Sequence, residues 1–296
     1  MFEVNTIVLE GPDLSGKTSL YNTIHKKTQF RWNIQDRSSL SMVCYARQFE
    51  RCSSSLKSNL KRDLCNLNNL IVILLPSFSV LERRYNQRGD EVQDLESLQS
   101  LYKIFTNEVE KIEGLPNVLV LRHDQTVNKS ADEVIQFVRQ VEQMTMPQVG
   151  GWVSKFVKAG SENEYCLDIR KTGPLLEYPD DIMKDPLEGE YYTEILWDFE
   201  NVIRKEMRGL NPYNKKQGFE SRRFYYSSES CISSIHLMPR GDLLKCYVVF
   251  RSTNAVKNAH IDLEFVQYLV HKLGRKYFLK CKNFDVSVRL NSAHVL

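Results

Sequence analysis

The sequence contains no apolar run approaching the ~18 residues a membrane span requires, so an embedded protein is not the expected reading. Met1-Phe2-Glu3 runs straight into strand-like sequence, and no signal peptide is expected. There is no C-x-x-C, and the seven cysteines (Cys44, Cys52, Cys65, Cys166, Cys231, Cys246 and Cys281) form an odd set. That points away from a disulfide framework or a zinc site, and toward a reducing compartment, the cytosol. Charge of one sign is also lacking: 40 basic against 37 acidic side chains leave +3, which calls for neither nucleic acid nor a membrane surface. Small anions are the expected partners. No internal repeat or low-complexity tract is visible, so the second half does not duplicate the first. What is present is an ordinary globular balance, 42% hydrophobic and 26% charged, over 296 residues. That length suits two domains of about 150 residues each.

The first half is organised around Ile7 to Leu20, I-V-L-E-G-P-D-L-S-G-K-T-S-L. A β-branched apolar strand, Thr6 to Leu9, gives way to Gly-x-x-x-x-Gly-Lys-Thr, the pattern of a phosphate cradle. Gly11 and Gly16 let successive N–H groups point inward, Lys17 can reach the β- and γ-phosphates, and Thr18 places a hydroxyl where Mg²⁺ would sit. A short strand, Phe30 to Gln35, ends in Asp36-Arg37. In an open α/β sheet, ligands lie beyond the carboxyl ends of the strands, so this pair faces the same crevice as the loop. There Arg37 can clamp a phosphate while Asp36 holds Mg²⁺ or its water shell; a surface ion pair is the plainer alternative. Leu70 to Leu75 reads as a central strand. The next helix carries Arg83, Arg84 and Arg88 before Gly89-Asp90, which suits a mobile lid over transferring phosphate or, more plainly, a solvated basic face. Asn117 to Leu121 is a last strand, and a helix is expected to open at Ser130.

The order E-G-P-D-x-x-G-K-T, then D-R, then R-x-x-x-R-G-D resembles the thymidylate kinase branch of the nucleoside monophosphate kinases, over about residues 4 to 144. The resemblance implies ATP and Mg²⁺ as cofactors. It also implies that Asp13 contacts the acceptor's sugar, Arg37 holds its phosphate, and Arg84 and Arg88 stabilise the transferring group. The stretch between loop and Asp-Arg is far shorter than in those kinases.

Pro147 and Gly150-Gly151 read as a break. The expected organisation is therefore a P-loop domain at 1–147, a parallel sheet flanked by helices, then a linker at 148–160 and an α+β domain at 161–296. In the latter, Tyr191 to Ile203 is an amphipathic helix carrying Glu194 and Trp197. Ser221-Arg222-Arg223 leads into a strand, and Cys231 to His236 into a turn at Met238–Asp242. Leu243 to Phe250 is the returning strand, ending in Arg251-Ser252, and a helix follows from about Asp262. By themselves Cys231 reads as an apolar filler, Asp262 as a helix cap and His294 as a surface residue.

E-x-x-W, S-R-R, Cys, R-S about twenty residues later, Asp, and finally S-A-H together resemble the thymidylate synthase and deoxycytidylate hydroxymethylase superfamily, from about Arg170 onward. That resemblance implies that Cys231 adds to C6 of a pyrimidine, making C5 nucleophilic toward the one-carbon unit of methylenetetrahydrofolate, with Glu194 organising proton transfer. Arg251 and Ser252 would bind the 5′-phosphate together with Arg222 and Arg223 from a second subunit, hence a homodimer through this half, and His294 would touch the sugar. Asp262, where deoxyuridylate enzymes carry Asn, favours a cytosine nucleotide. Ile232 and Asn254 depart from the pattern, as do a missing folate-side segment and C-terminal tail.

The combined expectation is a two-domain deoxypyrimidine monophosphate enzyme, cytoplasmic and of a kind suited to a virus rebuilding its host's nucleotide pool. Two alternatives stay open: an inactive second half that only binds or dimerises, and a kinase whose acceptor is a modified base within DNA.

Overall fold

The computed structural model describes residues 2–88, 93–122, 124–160, 162, 164–177, 186–209 and 224–295. The chain divides into two compact bodies, one of Val4–Gln143 with Ala159–Ser161, the other of Met1–Glu3, Met144–Lys158 and Glu162–Leu296.

The first body is α/β. Its elements are β1 (Thr6–Glu10), α1 (Lys17–Thr28), β2 (Ile34–Asp36), α2 (Ser39–Gln48), α3 (Ser54–Cys65), β3 (Asn69–Leu74), α4 (Phe78–Arg88), α5 (Leu95–Val109), β4 (Val118–Leu121) and α6 (Val127–Glu142). The sheet runs β2-β1-β3-β4 with every pair parallel, Ile7 standing between Ile34 and Leu70. Parallel strands linked by helices are buried on both faces, which is why β1 and β3 are continuous apolar runs with Ile7, Leu9 and Val72 fully inside. One expectation is corrected. Helix α6 starts at Val127 rather than Ser130, because the Thr126 hydroxyl accepts from Lys129 N and caps the helix earlier.

The second body is α+β and begins with a helix where a linker was expected: α7 spans Met146–Ala159 and buries Val149, Trp152, Val153 and Phe156. Pro147 is tolerated because it lies in the first turn, where its missing N–H has no helical partner. Gly150 does not break the helix either; a Cβ there would fall 2.3 Å from His260 Cα, so the glycine permits a close crossing. After α7 come β5 (Glu164–Pro174), α8 (Pro186–Gly209), β6 (Phe224–Ser227), β7 (Ile232–Arg240), β8 (Leu243–Phe250), β9 (Thr253–Asn254), α9 (Ala259–Tyr277) and β10 (Asn283–His294). The mixed sheet has the order β5-β10-β8-β7-β6, with β9 also on β10. Strand β7 continues through the expected turn, Met238 opposite Lys245 and Pro239 opposite Leu244, so only Gly241-Asp242 reverse the chain. Ile195, Leu196, Phe199 and Ile203 of α8 are buried, as are Phe265, Leu269 and Leu273 of α9. Glu200 on α8 accepts from Arg204, Lys276 and Tyr277, tying α8 to α9; burial opposes its charge, but these three partners hold its pKa down at about 2. The N-terminal residues belong here too: buried Phe2 bridges Lys171 in antiparallel fashion, its ring lies 6.1 Å from that of Trp152, and Glu3 N donates to Arg170 O at 3.2 Å. Among the described residues no helix is long and apolar enough to cross a membrane.

Candidate functional site

Strand β1 delivers the chain into a loop with three left-handed residues, Gly11 (φ +139°), Leu14 (φ +63°) and Gly16 (φ +102°). At Gly11 no other residue fits, since a Cβ would lie 2.3 Å from Leu74 O on the neighbouring strand. Gly16 is the N-cap of α1, so the helix N-terminus opens into a cavity of about 560 Å³. Lys17 is 6% exposed, and its ammonium donates to Gly11 O and Pro12 O at 2.8 Å. Burial, with Arg37's charge adding to it, lowers the Lys17 pKa to about 8, against the pull of Asp13, Asp36 and Glu10. Thr18 and Ser19 are exposed in the first turn of α1, and both line the cavity. Asp36 and Arg37 line it from the end of β2, and Arg83, Arg84 and Gln87 from α4. Arg84 Nη1 donates to Leu14 O at 2.6 Å. Leu121, Asp124, Gln125, Thr126, Val127 and Ser130, at the end of β4 and start of α6, also line the cavity.

Beside the loop lies a second set of groups. Arg37 has φ +67°, its N–H donates to Leu9 O at 2.9 Å, and its guanidinium pairs with Asp13 while lying 5.4 Å from the centroid of the Tyr45 ring. Asp13 also accepts from the Tyr45 hydroxyl and from Gln93 Nε2 at 2.8 Å. Burial, and then the bond to Asp13, push the Tyr45 hydroxyl pKa up. Asp13 and Arg37, expected to meet a sugar and a phosphate, thus meet each other. Glu10, 1% exposed, accepts from Ser38 N at 2.9 Å, from Ser41 N at 3.2 Å and from the Ser41 hydroxyl. It fixes the start of α2, which carries Tyr45; burial raises its pKa. Arg88 ends α4, its side chain outside the described residues, as are Gly89 and Asp90.

The resemblance implies ATP and Mg²⁺ at this cavity. A buried cation, inward-turned glycines and a helix N-terminus favour a polyphosphate. Thr18 and Asp36 both line the cavity and are the residues that could hold Mg²⁺, which needs few protein ligands beside phosphate and water. Among the described residues no group of three or more His, Cys, Asp or Glu could hold a metal by itself.

In the second body Cys231, Arg251, Ser252 and His294 lie at one end of the sheet. Cys231 precedes β7 and is exposed, and its carbonyl accepts from Arg251 N at 2.7 Å. Ser252 leads into β9; His294 ends β10 opposite Asn254, with Nδ1 3.3 Å from the Ser292 hydroxyl. Tyr191 on α8 donates to Ser230 Oγ at 3.0 Å and accepts from Ile232 N at 3.3 Å, and Glu194, one turn along α8, is exposed. Asp262 is where the expectations need correction. It lies in the first turn of α9, which starts at Ala259, so it is not the cap. At 4% exposure, its two carboxylate oxygens accept from the hydroxyls of Tyr192 and Thr253 rather than standing open to a base. A buried carboxylate requires such partners. Asn254 likewise serves the chain itself, accepting from Val256 N and Lys257 N at 3.1 and 3.0 Å. Ile232 is fully buried. Arg222 and Arg223 lie outside the described residues.

Several site residues carried no marking in the sequence reading. Glu10 and Asp124-Gln125 follow or end strands and were findable by the same crevice rule that picked out Asp36. Tyr45, Gln93 and Leu14 were not, since nothing in their neighbours signals long-range packing.

The first body is therefore a parallel α/β domain in which a Gly-x-x-x-x-Gly-Lys-Thr loop joins β1 to the N-terminus of α1, and the second is a mixed-sheet α+β domain. No protein-family model matches the chain, and no curated protein is similar to it. Among solved structures, a YorR protein from Bacillus subtilis in complex with phosphorylated GDP is 19% identical over 47% of this chain and 99% of that one, with a TM-score of 0.39. Thymidylate synthase from T4 phage is 13% identical over 34% of each chain, with a TM-score of 0.24.

Proposed function

We propose that the first body is an ATP-dependent deoxypyrimidine nucleoside monophosphate kinase. The observation carrying this reading is the convergence of buried Lys17, Arg37 and Arg84 on one cavity at the N-terminus of α1. The donor, bound with Mg²⁺, supplies the phosphoryl group, and Mg²⁺ would be held by Thr18 and, through water, Asp36. Lys17 exchanges its loop carbonyls for phosphate oxygens and offsets charge as the bond to the leaving oxygen breaks. Arg37 exchanges Asp13 for the acceptor's phosphate and holds the attacking oxygen in line; Asp13, released, is free to accept from the acceptor's sugar. Arg84, with Arg88 beside it in sequence, spreads positive charge over the transferring group. A panel of deoxynucleoside monophosphates with ATP, read by ADP formation, tests this: stimulation by a pyrimidine monophosphate, lost in Lys17→Ala, is expected. Stimulation by duplex DNA instead would move the acceptor to a base within DNA.

For the second body we propose a pyrimidine-monophosphate site at the Cys231 end of the sheet, with Arg251 and Ser252 on the 5′-phosphate. Arg222 and Arg223 would come from the partner of a homodimer, and His294 would reach the sugar. Two activities fit it. Methylenetetrahydrofolate-dependent transfer, with Cys231 as nucleophile and Glu194 organising the proton, gives tritium release from C5 of labelled dCMP or dUMP that Cys231→Ala abolishes. The engaged Asp262 carboxylate and the buried Ile232 favour the alternative, a nucleotide-binding or dimerisation module, under which no tritium is released.

A further inference from the structure

Leu14 combines features that the kinase reading leaves unused. It is a bulky residue in the left-handed region, φ +63°, at the middle of the phosphate loop, where a side chain beyond Cβ is ordinarily a source of strain. It is nevertheless 8% exposed, because its side chain sits in an apolar cluster with Leu81 of α4 and Leu98 of α5. Phe78, Tyr85 and Tyr102 close around that cluster. Its carbonyl meanwhile accepts from Arg84 at 2.6 Å, and the Arg84 guanidinium lies 3.4 Å from where a Cβ on Gly16 would stand. One loop residue is therefore held to α4 twice, by its side chain and by its backbone.

We propose that Leu14 is a positioning residue: it plugs the phosphate loop into α4 and α5, and so presets Arg84 beside the loop before any nucleotide arrives. The basic face of α4 is then a built wall of the donor site, not a lid that swings onto it. This rests on the donor-site reading above. A strained backbone at a ligand loop persists only where its surroundings over-determine it, and the apolar socket is what does so here. Arg84, an otherwise mobile side chain, is ordered by a carbonyl that the plug holds still, so the ordering cost of recruiting it falls on the fold rather than on binding.

The test is a double-mutant cycle on the full chain, with a non-hydrolysable ATP analogue and Mg²⁺ titrated by calorimetry. Leu14→Asn, which tolerates the left-handed conformation but empties the socket, and Arg84→Met are each expected to weaken binding about tenfold, the scale of one charge-assisted hydrogen bond. Leu14→Met is expected to bind within about twofold of the unaltered chain, and the double variant Leu14→Asn with Arg84→Met no more than about twofold worse than Arg84→Met alone. Additive losses, or unaltered binding by Leu14→Asn, overturn the proposal. Hydrogen exchange keeps the two readings separable. Faster exchange of the α4 amides in Leu14→Asn supports the plug even if the unaltered chain binds no nucleotide, a result that would sink the kinase reading alone. Unchanged α4 exchange overturns the plug whatever the binding shows.

Discussion

On the proposed kinase reading, Lys17 gives donor binding a pH dependence that its surroundings set. Its ammonium is buried and faces carbonyls rather than a bonded carboxylate, and burial together with Arg37 lowers its pKa to about 8. A phosphate oxygen in the same place favours the charged form and raises that value, so above about pH 8 binding must take up a proton. The sign follows: affinity is flat below about 8 and falls above it. At about pH 9 roughly one free molecule in eleven still carries the proton, so affinity drops about tenfold, or ~1.4 kcal/mol. Tyr45, bonded to Asp13 beside the loop, has its pKa pushed up and stays silent. Calorimetric titration of the Mg²⁺ complex of a non-hydrolysable ATP analogue between about pH 7.5 and 9.5 reads the effect. In Lys17→Arg, whose guanidinium stays charged throughout, the affinity is expected to be lower but level. A wild-type affinity that stays level up to about pH 9.5 refutes the reasoning, because it would place Lys17 in water or beside a partner that keeps it charged.

Two further substitutions separate the loop from the rest of the fold. Gly11→Ala puts a methyl 2.3 Å from Leu74 O at a φ of +139°, and is expected to cost about 3 kcal/mol or more in urea unfolding and to abolish donor binding; native-like stability and affinity would show that the strand can yield. Asp262→Ala leaves the Tyr192 and Thr253 hydroxyls without their acceptor inside the second body, and a loss of about 2–4 kcal/mol is expected, with Asp262→Asn losing less; a change under about 0.5 kcal/mol would mean that this carboxylate does not hold α8, β9 and α9 together.

How far the sequence could be read depended on whether each signal was local. The loop from Gly11 to Thr18 was legible because its eight positions are consecutive and its glycines answer a backbone demand. Asp36-Arg37 was legible from its place at a strand end. Helix α7 was not legible, because Pro147 and Gly150 look like breakers in the sequence although the helix runs through both. Their effect depends on position in the turn and on what crosses the helix, and the neighbour at Gly150, His260, lies far along the chain. Asp262 stands near a helix start, yet its partner Tyr192 lies 70 residues earlier, and no spacing rule joins the two. The same holds for Asp13, whose spacing from Lys17 is informative while its bonds to Tyr45 and Gln93 are not.

With Phe2 seated against Lys171 and Trp152, the α/β body is an insertion in the chain of the other one. Residues 1–3 belong to the α+β body, the chain passes into the other body at Val4 and returns at Met144, and Ala159–Ser161 again belong with the α/β body. A single protease cut in the returning stretch would therefore leave the two still joined through Glu3-Val4. A fragment starting at Met144 would lack the ring that covers Trp152, leaving the edge strand β5 barer than in the whole chain and open to pairing with other molecules. Anyone dividing this protein for study would do better to carry the first three residues along, joined to the later part by a short bridge.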